Sequence, residues 1–487
     1  MYSESFRSLT YLTPKYLGKM SFKIARQSFK KFSTACKKVS QVCVVGAGPA
    51  GFYAAMQLTK KLGNINIDII EKLPVPFGLI RYGVAPDHPE VKNVINQFTK
   101  VAQQPNVNFY GNIALGKDIT LSQLRQHYDA VLLTYGAEED KLLGIENEDA
   151  KNIVAARKFV GWYNGLPDAR DFEVDLGGNT AAVLGQGNVA LDVARIILSP
   201  IDELRKTDIP EHVLSVLAKS KIKELYLVGR RGPLQVAFTI KELREQLKIP
   251  FCQTVWRKND FDGVSEVASA LARPRKRLTE LMLKSLNEHS EDSKPEKYFK
   301  PIFHRSPDKF IVDSKNNVMG VQLTCNQMAG SLDKDPKYLP TDEKEIINCS
   351  LAIRSIGYKS VNVDKDLIIG DNGSVPNDKG RILDPSNDLA KLYVAGWLGT
   401  GPVGVILHTM GNAFQVAKAI QEDLETGQST ENKGGFAEVR KAISDNLKIV
   451  DWKGWENIDK YEIEMGKKLG KPREKICCVS EMLEKAL

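Results

Sequence analysis

Two glycine turns, each set between an apolar strand and an amphipathic helix, constrain this chain more than any other feature. The first, Gly46-Ala47-Gly48-Pro49-Ala50-Gly51, follows Val42-Cys43-Val44-Val45, and the next apolar run, residues 65–70, stops at Glu71. The second, Gly185-Gln186-Gly187-Asn188-Val189-Ala190, follows Ala181-Ala182-Val183-Leu184, and its next apolar run stops at Gly229-Arg230-Arg231-Gly232. Strand, glycine turn, helix and strand in that order make a dinucleotide site. The glycines let the backbone turn sharply and approach a pyrophosphate, whose charge faces the helix N-terminus, and the residue ending the second strand reads the ribose 2′ position. Glu71 suits a free 2′-hydroxyl and repels a 2′-phosphate. Arg230 and Arg231 offer a phosphate forked, charge-assisted donors, each worth roughly 1.5–3 kcal/mol. The first site is therefore expected to take FAD or NAD and the second NADP(H). The arginines stand at roughly twice the usual spacing of about twenty residues from their turn.

A chain of 487 residues, 42% hydrophobic and 26% charged, has the make-up of a soluble globular protein of two or three domains. Its formal charge of +8 is local: residues 1–39 carry nine Lys or Arg against the single acid Glu4, and the remainder holds 59 basic and 59 acidic residues. That balance gives no support to nucleic-acid binding. The basic, hydroxyl-rich segment 1–39 reads as a mitochondrial import presequence cleaved near residues 30–40. The seven cysteines, at 36, 43, 252, 325, 349, 477 and 478, form no C-x-x-C pair and no ligand spacing. A reducing compartment, no metal and no disulfide framework are expected. His88 and His408 have no ligand companions at usable spacing and are read as hydrogen-bonding structural residues. No apolar run reaches the roughly 18–20 residues of a membrane span.

Along the chain, Ala54, Leu58 and Leu62 give a helix over 49–62 one apolar stripe, and Gly63 stops it. The segment 74–79, with two prolines and a glycine, is expected to loop along the ligand, and a strand over 129–134 ends in the small-residue stop Tyr135-Gly136-Ala137. After the second unit, at about 180–230, residues 257–310 read as one helix, about 274–287, among mobile connections with little strand alternation. A strand over 349–356 is expected to mark the return to the first domain. The strand Leu392-Tyr393-Val394-Ala395-Gly396-Trp397 and the turn Gly401-Pro402-Val403-Gly404-Val405-Ile406 then open a helix striped by Met410, Ala413, Ala417 and Ile420. The economical reading is a first domain interrupted by a second and then resumed.

Several of these segments, taken together, resemble the NADPH:adrenodoxin oxidoreductase family of mitochondrial ferredoxin reductases. They are residues 44–53, the long loop from Pro76 through Phe77-Gly78-Leu79-Ile80-Arg81-Tyr82-Gly83-Val84-Ala85-Pro86-Asp87-His88 to Pro89, Gly161-Trp162-Tyr163-Asn164-Gly165, residues 185–190 and Arg230-Arg231-Gly232-Pro233. The resemblance runs from about residue 41 to the late 460s, and the loop is its most specific part. It implies an α/β fold of two nucleotide-binding Rossmann-like domains, the NADP domain inserted into a discontinuous FAD domain. The expected divisions are 1–39 (presequence), 40–145 and 361–487 (FAD), and 146–360 (NADP). It further implies an enzyme that takes a hydride from NADPH on FAD and passes single electrons to an adrenodoxin-like [2Fe–2S] ferredoxin. FAD carries the chemistry, with no protein acid or base required.

By the same resemblance, Gly46, Gly48, Ala50, Gly51, Glu71, Leu79, Leu115, Trp397, Gly404, Val405 and Ile406 would contact FAD. Gln186, Gly187, Asn188, Val189, Arg230, Arg231, Glu242 and Gly404 would contact NADPH, and Arg244, Arg273 and Arg277 would hold an acidic ferredoxin. The expected setting is a monomer in the mitochondrial matrix, with room for peripheral contact with the inner membrane. Downstream, iron–sulfur assembly, haem, quinone and sterol chemistry are all compatible. Two related enzyme classes fit less well: a disulfide reductase needs a redox cysteine pair beside the flavin, and a glutamate-synthase-like electron-input subunit needs an N-terminal cysteine cluster. A non-catalytic NADP sensor would have no use for the Gly404 turn.

Overall fold

A computed structural model describes residues 38–288, 294–332, 336–383, 390–402, 404, 406–427 and 432–487. Nearly all of the expected presequence, residues 1–37, therefore lies outside the described residues, as does Val405 of the expected FAD set.

The chain builds two mainly parallel sheets, the first with an antiparallel edge from residues 377–394. Strands β1 (Ser40–Val45), β2 (Ile65–Glu71), β3 (Val107–Gly111) and β4 (Ala130–Leu133) belong to the first. Strands β5 (Ile153–Ala155), β6 (Thr180–Leu184), β7 (Glu224–Val228), β8 (Cys252–Thr254) and β9 (Lys297–Ile302) belong to the second. A three-stranded antiparallel unit follows, β10 (Arg305–Val312), β11 (Val318–Ala329) and β12 (Lys337–Asn348), and β13 (Leu351–Arg354) completes the second sheet. The chain then re-enters the first sheet with β14 (Asn377–Asp378), β15 (Arg381–Ile382) and β16 (Lys391–Val394). The seven-stranded sheet runs β14-β15-β16-β4-β1-β2-β3, and the six-stranded sheet runs β5-β13-β6-β7-β9-β8. Strands from both ends of the described chain thus share one sheet, and the second sheet lies between them in sequence.

β1 pairs with β2 from Ser40↔Ile65 to Val45↔Ile70 and with β4 from Val42↔Ala130 to Val45↔Leu133, both parallel. The order therefore reverses beside β1, and in open α/β sheets ligands bind at such a switch point, outside the carboxyl ends of the strands. The glycine turn sits there. Helix α1 (Pro49–Lys61) buries Ala50, Phe52, Tyr53, Ala54, Ala55 and Leu58, so the four-residue stripe faces the sheet as expected. Phe52 stacks on Phe98 at 5.0 Å and tilts against Phe77 at 5.5 Å between ring centroids, which roots the loop after β2 in the core.

Two expectations need correction. Residues 257–310 hold β9 and β10, and β9 pairs in parallel with both β7 and β8. Alternation was absent because Lys297 and Lys300 fall on opposite faces of β9 among the buried Phe299, Pro301 and Ile302; Lys300 pairs with Glu224 at 2.8 Å and Lys297 donates to Ile197 O at 3.0 Å. The strand near 349–356 is β13; it pairs with β6 and β5 and closes the second sheet, so the return begins only after it.

Two features bind the sheets to each other. The loop after Gly78 sends Asp87 and Lys92 across to Arg195 and Asp208 at 2.5 and 2.7 Å. Residues 471–476 form a strap beside helix α7 (Trp452–Lys468). On one side Glu462, fully buried, accepts from Arg81 at 2.5 Å, from Arg473 at 3.1 Å and from the Ile476 N–H at 2.9 Å. On the other, Lys471 donates to Ile209 O at 2.7 Å and Lys475 pairs with Asp208 at 3.1 Å.

Candidate functional site

At the first turn, Gly46 has φ +110°, and an added Cβ would stand 2.7 Å from the carbonyl carbon of Thr134. A Cβ on Gly51 would stand 2.3 Å from Gly46 O. Helix, turn and β4 can approach this closely only with glycine at both positions. Glu71 is half-buried at the end of β2; its Oε2 accepts from Ala47 N–H at 2.8 Å and its Oε1 from Leu73 N–H at 3.2 Å. Burial pushes its carboxyl up, and the two N–H donors oppose that. Each carboxylate oxygen keeps acceptor capacity for a further hydroxyl. Phe77 N–H donates to Ala47 O at 2.8 Å, so the loop does run against the turn, and Leu79 opens the following short helix at 43% exposure.

The resumed segment comes back to the same place. A Cβ on Gly396 would stand 2.7 Å from Cβ of Ala50, and Asn412 accepts from Gly396 N–H at 2.8 Å. Trp397 is half-buried, its ring 5.7 Å from that of Tyr358. The helix expected here is α6 (Ile406–Thr426), with Ala413, Ala417 and Ile420 buried. Gly404 is exposed, with φ +89°, where a Cβ would strike the His408 ring at 2.4 Å. Leu115 lies partly buried against the core on the other face of the first sheet.

The second turn opens helix α3 (Asn188–Leu198), which follows α2 (Ala156–Tyr163). Gln186 O accepts from Ala237 and Phe238 N–H at 2.9 and 3.2 Å, and Asn188 Oδ1 accepts from Thr239 N–H at 2.8 Å. Val189 packs on the core. Arg230 and Arg231 are both exposed, while their backbone is pinned: Asn326 donates to Arg230 O at 3.0 Å, and His304 N–H to Arg231 O at 3.2 Å. Residues from β9 to β11 thus hold the arginine loop.

Helices α1 and α3 share an electrostatic feature. Each is capped by a glycine, Gly48 or Gly187, with no side-chain cap bond and no acid in the first turn. The first N–H groups of a helix need an external acceptor, and a Cβ on either cap glycine would meet nothing within 4 Å. Both termini fit the pyrophosphate of a dinucleotide.

Between the two turns lies a charged cluster that sequence reasoning missed. Arg195 of α3 is 4% exposed and pairs with Asp87 at 2.5 Å, Asp192 at 2.7 Å and Glu242 at 3.3 Å. His88 Nε2 lies 2.6 Å from Glu245 and 3.9 Å from Glu242. The reading of His88 as a hydrogen-bonding residue agrees with this, but the expectation that it lacks ligand-type companions does not. Folding brings two carboxylates of α4 (Ile240–Gln246) to it, and their separation from residue 88 hides this in sequence. Arg195 shares those carboxylates at 3.3 and 3.9 Å, so the four residues form one ion-pair cluster. Burial and the charge of Asp192 push Glu242 up to about 7. The legible signal was Asp192 and Arg195 three apart inside an otherwise apolar helix.

Arg244 on α4 and Arg273 and Arg277 on α5 (Arg273–Asn287) are exposed, and the two helices pack together. Among the described residues none of the three forms an ion pair, and the described cysteines are all free.

Residues 40–224 match the family described as pyridine nucleotide-disulphide oxidoreductase. The chain is similar to a Drosophila melanogaster protein named mitochondrial NADPH:adrenodoxin oxidoreductase, 50% identical, with 92% of this chain and 93% of that protein covered. The human protein of the same name is 43% identical with 93% of each covered. Among solved structures, Mycobacterium tuberculosis FprA in complex with NADPH superposes with a TM-score of 0.85 at 34% identity, covering 92% of this chain and 99% of that one.

Proposed function

Starting from the fact that the chain belongs to the NADPH:adrenodoxin oxidoreductase family, we propose how its residues divide the work of an FAD-dependent enzyme that carries electrons from NADPH to a ferredoxin. The observation that carries the division is the opposite chemistry at the ends of β2 and β7: Glu71 against Arg230 and Arg231. FAD, when bound, supplies the acceptor for the hydride pair of NADPH and releases those electrons singly.

The chain's own part is binding and orientation. Gly46, Gly48, Ala50 and Gly51 bring the α1 terminus onto the FAD pyrophosphate, and Glu71 accepts from its ribose. Leu79, Leu115 and Trp397 pack on it, and the Gly404-Val405-Ile406 turn approaches the ring, with the α6 terminus favouring negative charge there. Gln186, Gly187, Asn188 and Val189 receive the NADPH pyrophosphate at the α3 terminus, and Arg230 and Arg231 bind its 2′-phosphate. Glu242 and Gly404 border the nicotinamide side. The divisions 40–145 with 361–487 for FAD and 146–360 for NADP follow from this, with segment 1–39 addressing the chain to the mitochondrial matrix. Arg244, Arg273 and Arg277 form the face for an acidic [2Fe–2S] ferredoxin, where charge complementarity raises the encounter rate.

Anaerobic titration of the FAD-loaded protein tests the reading. NADPH is expected to bleach the flavin much faster than NADH, and oxidised [2Fe–2S] ferredoxin to restore the colour. A protein that takes up no FAD, or bleaches equally with both nucleotides, refutes it.

A further inference from the structure

Helix α5 begins Arg273-Pro274-Arg275-Lys276-Arg277, a run that reads in sequence as one solvated basic face. The helix separates it. Arg273 and Arg277, four apart, share an exposed side, whereas Arg275, two residues from each, falls on the opposite side and is half-buried. Arg275 Nη1 donates to Val236 O at 2.8 Å. Val236 directly follows the 3-10 turn Pro233–Gln235, which continues the Arg230-Arg231-Gly232 loop, and α5 packs on that turn.

We propose that Arg275 is the third guanidinium of the 2′-phosphate cradle and a determinant of nucleotide choice alongside Arg230 and Arg231; the proposal rests on the NADPH reading above. Three observations converge on it. Several other half-buried or buried arginines of the second unit have carboxylates: Arg195 has Asp87, Arg257 and Arg305 share Glu345, and Arg354 has Glu148, whereas Arg157, like Arg275, has no ion pair among the described residues. Among the described residues, Arg230, Arg231 and Arg275 have none. Burial and the neighbouring charge of Arg231 both push the Arg275 guanidinium below its ordinary value, so two cations stand close together without a counter-ion. A dianionic phosphate relieves that repulsion and matches the fork's remaining donors. The loop is held rigid for the purpose: Tyr338 Oη accepts from Gly232 N–H at 3.0 Å and donates to Gln235 Oε1 at 2.6 Å. A preorganised cradle loses less entropy on binding.

The test uses the holoenzyme with ferricyanide as acceptor, comparing kcat/KM for NADPH and NADH, and inhibition by 2′,5′-ADP and 5′-AMP. Arg275→Gln keeps a donor for Val236 O but removes the charge, and bound flavin reports its folding. It is expected to lose about tenfold or more in kcat/KM for NADPH and in affinity for 2′,5′-ADP. NADH turnover and 5′-AMP inhibition are expected to stay within about twofold, and Arg275→Lys, which keeps the charge but loses the fork, to lose less of the preference than Arg275→Gln without keeping all of it. Equal losses with both nucleotides would make Arg275 a loop anchor only and overturn the proposal, as would no loss at all. Arg230→Ala run in parallel separates the two levels: if it lowers the NADPH/NADH ratio while Arg275→Gln does not, only this proposal falls. If neither changes the ratio, the 2′-phosphate reading falls as well.

Discussion

Replacing Lys475 by methionine removes the ammonium at the centre of the strap between the two sheets while keeping most of its volume. Lys475 is 3% exposed; its Nζ donates to Arg81 O at 3.2 Å and Asn164 O at 3.0 Å and pairs with Asp208 at 3.1 Å. Asp208 keeps Lys92 at 2.7 Å in the variant, so its charge is not stranded. The two carbonyl oxygens have no other hydrogen bond among the described residues, and each buried acceptor left without a donor costs about 1–3 kcal/mol. Relief of the ammonium's own desolvation offsets part of that. The expected net loss is about 3 kcal/mol in the free energy of unfolding near pH 7, read by urea denaturation, while exposed Lys467→Met stays within about 0.5 kcal/mol.

The pH dependence carries a sign. Burial pushes Lys475 down to about 7, against the opposing charge of Asp208. Burial would raise Asp208, but Lys475 and Lys92 outweigh it and hold that carboxyl well below the usual range. Between pH 7 and the ordinary lysine value near 10.4, the unfolded chain binds the proton that the folded chain has released, so stability rises with pH by up to about 1.4 kcal/mol per unit. It is lost again as pH falls through 7. The methionine variant lacks this slope. A variant as stable as the parent, or with the same slope over pH 7–9, would refute the reasoning.

Three further outcomes are expected. Arg230→Ala with Arg231→Ala should lower kcat/KM for NADPH about 100-fold with little change for NADH, because the loop's backbone contacts survive the truncation; equal losses would count against a 2′-phosphate site. Gly51→Ala forces a Cβ to within 2.3 Å of Gly46 O and should yield protein with markedly less FAD per chain by absorbance, whereas full occupancy would show that the turn tolerates the shift. Arg244→Ala and Arg277→Ala should slow ferredoxin-dependent cytochrome c reduction but spare ferricyanide reduction. That effect should fade with salt as the screening length drops to about 8 Å at 0.15 M, and a loss in both assays would contradict a docking role.

Much of this fold was legible because its signals are local. The first βαβ unit falls within two residues of its expected bounds, since strand, glycine turn and striped helix are each encoded over fewer than about 15 residues. β9 and the β10–β12 hairpins were not legible. β9 has no alternation to show, and β12 is an edge strand whose Lys337, Asp342, Glu343 and Lys344 face solvent. At the site, Glu71 and the arginine pair were legible for the same local reason. The cluster of Asp87, His88, Asp192, Arg195, Glu242 and Glu245 was not, because its members are spread over some 150 residues and meet only when two sheets dock.

The sequence by itself determined the two nucleotide turns and the opposite charges that follow them, since backbone freedom at glycine and the sign of a side chain are properties of the residues alone. Only the tertiary structure decided that the strand at 351–354 stays in the second sheet, that segment 471–476 straps the two units, and that Arg275 turns toward the arginine loop while Arg273 and Arg277 turn away. These depend on which distant surfaces exclude water from one another, a choice made by the packing of the whole chain and carried by no short segment.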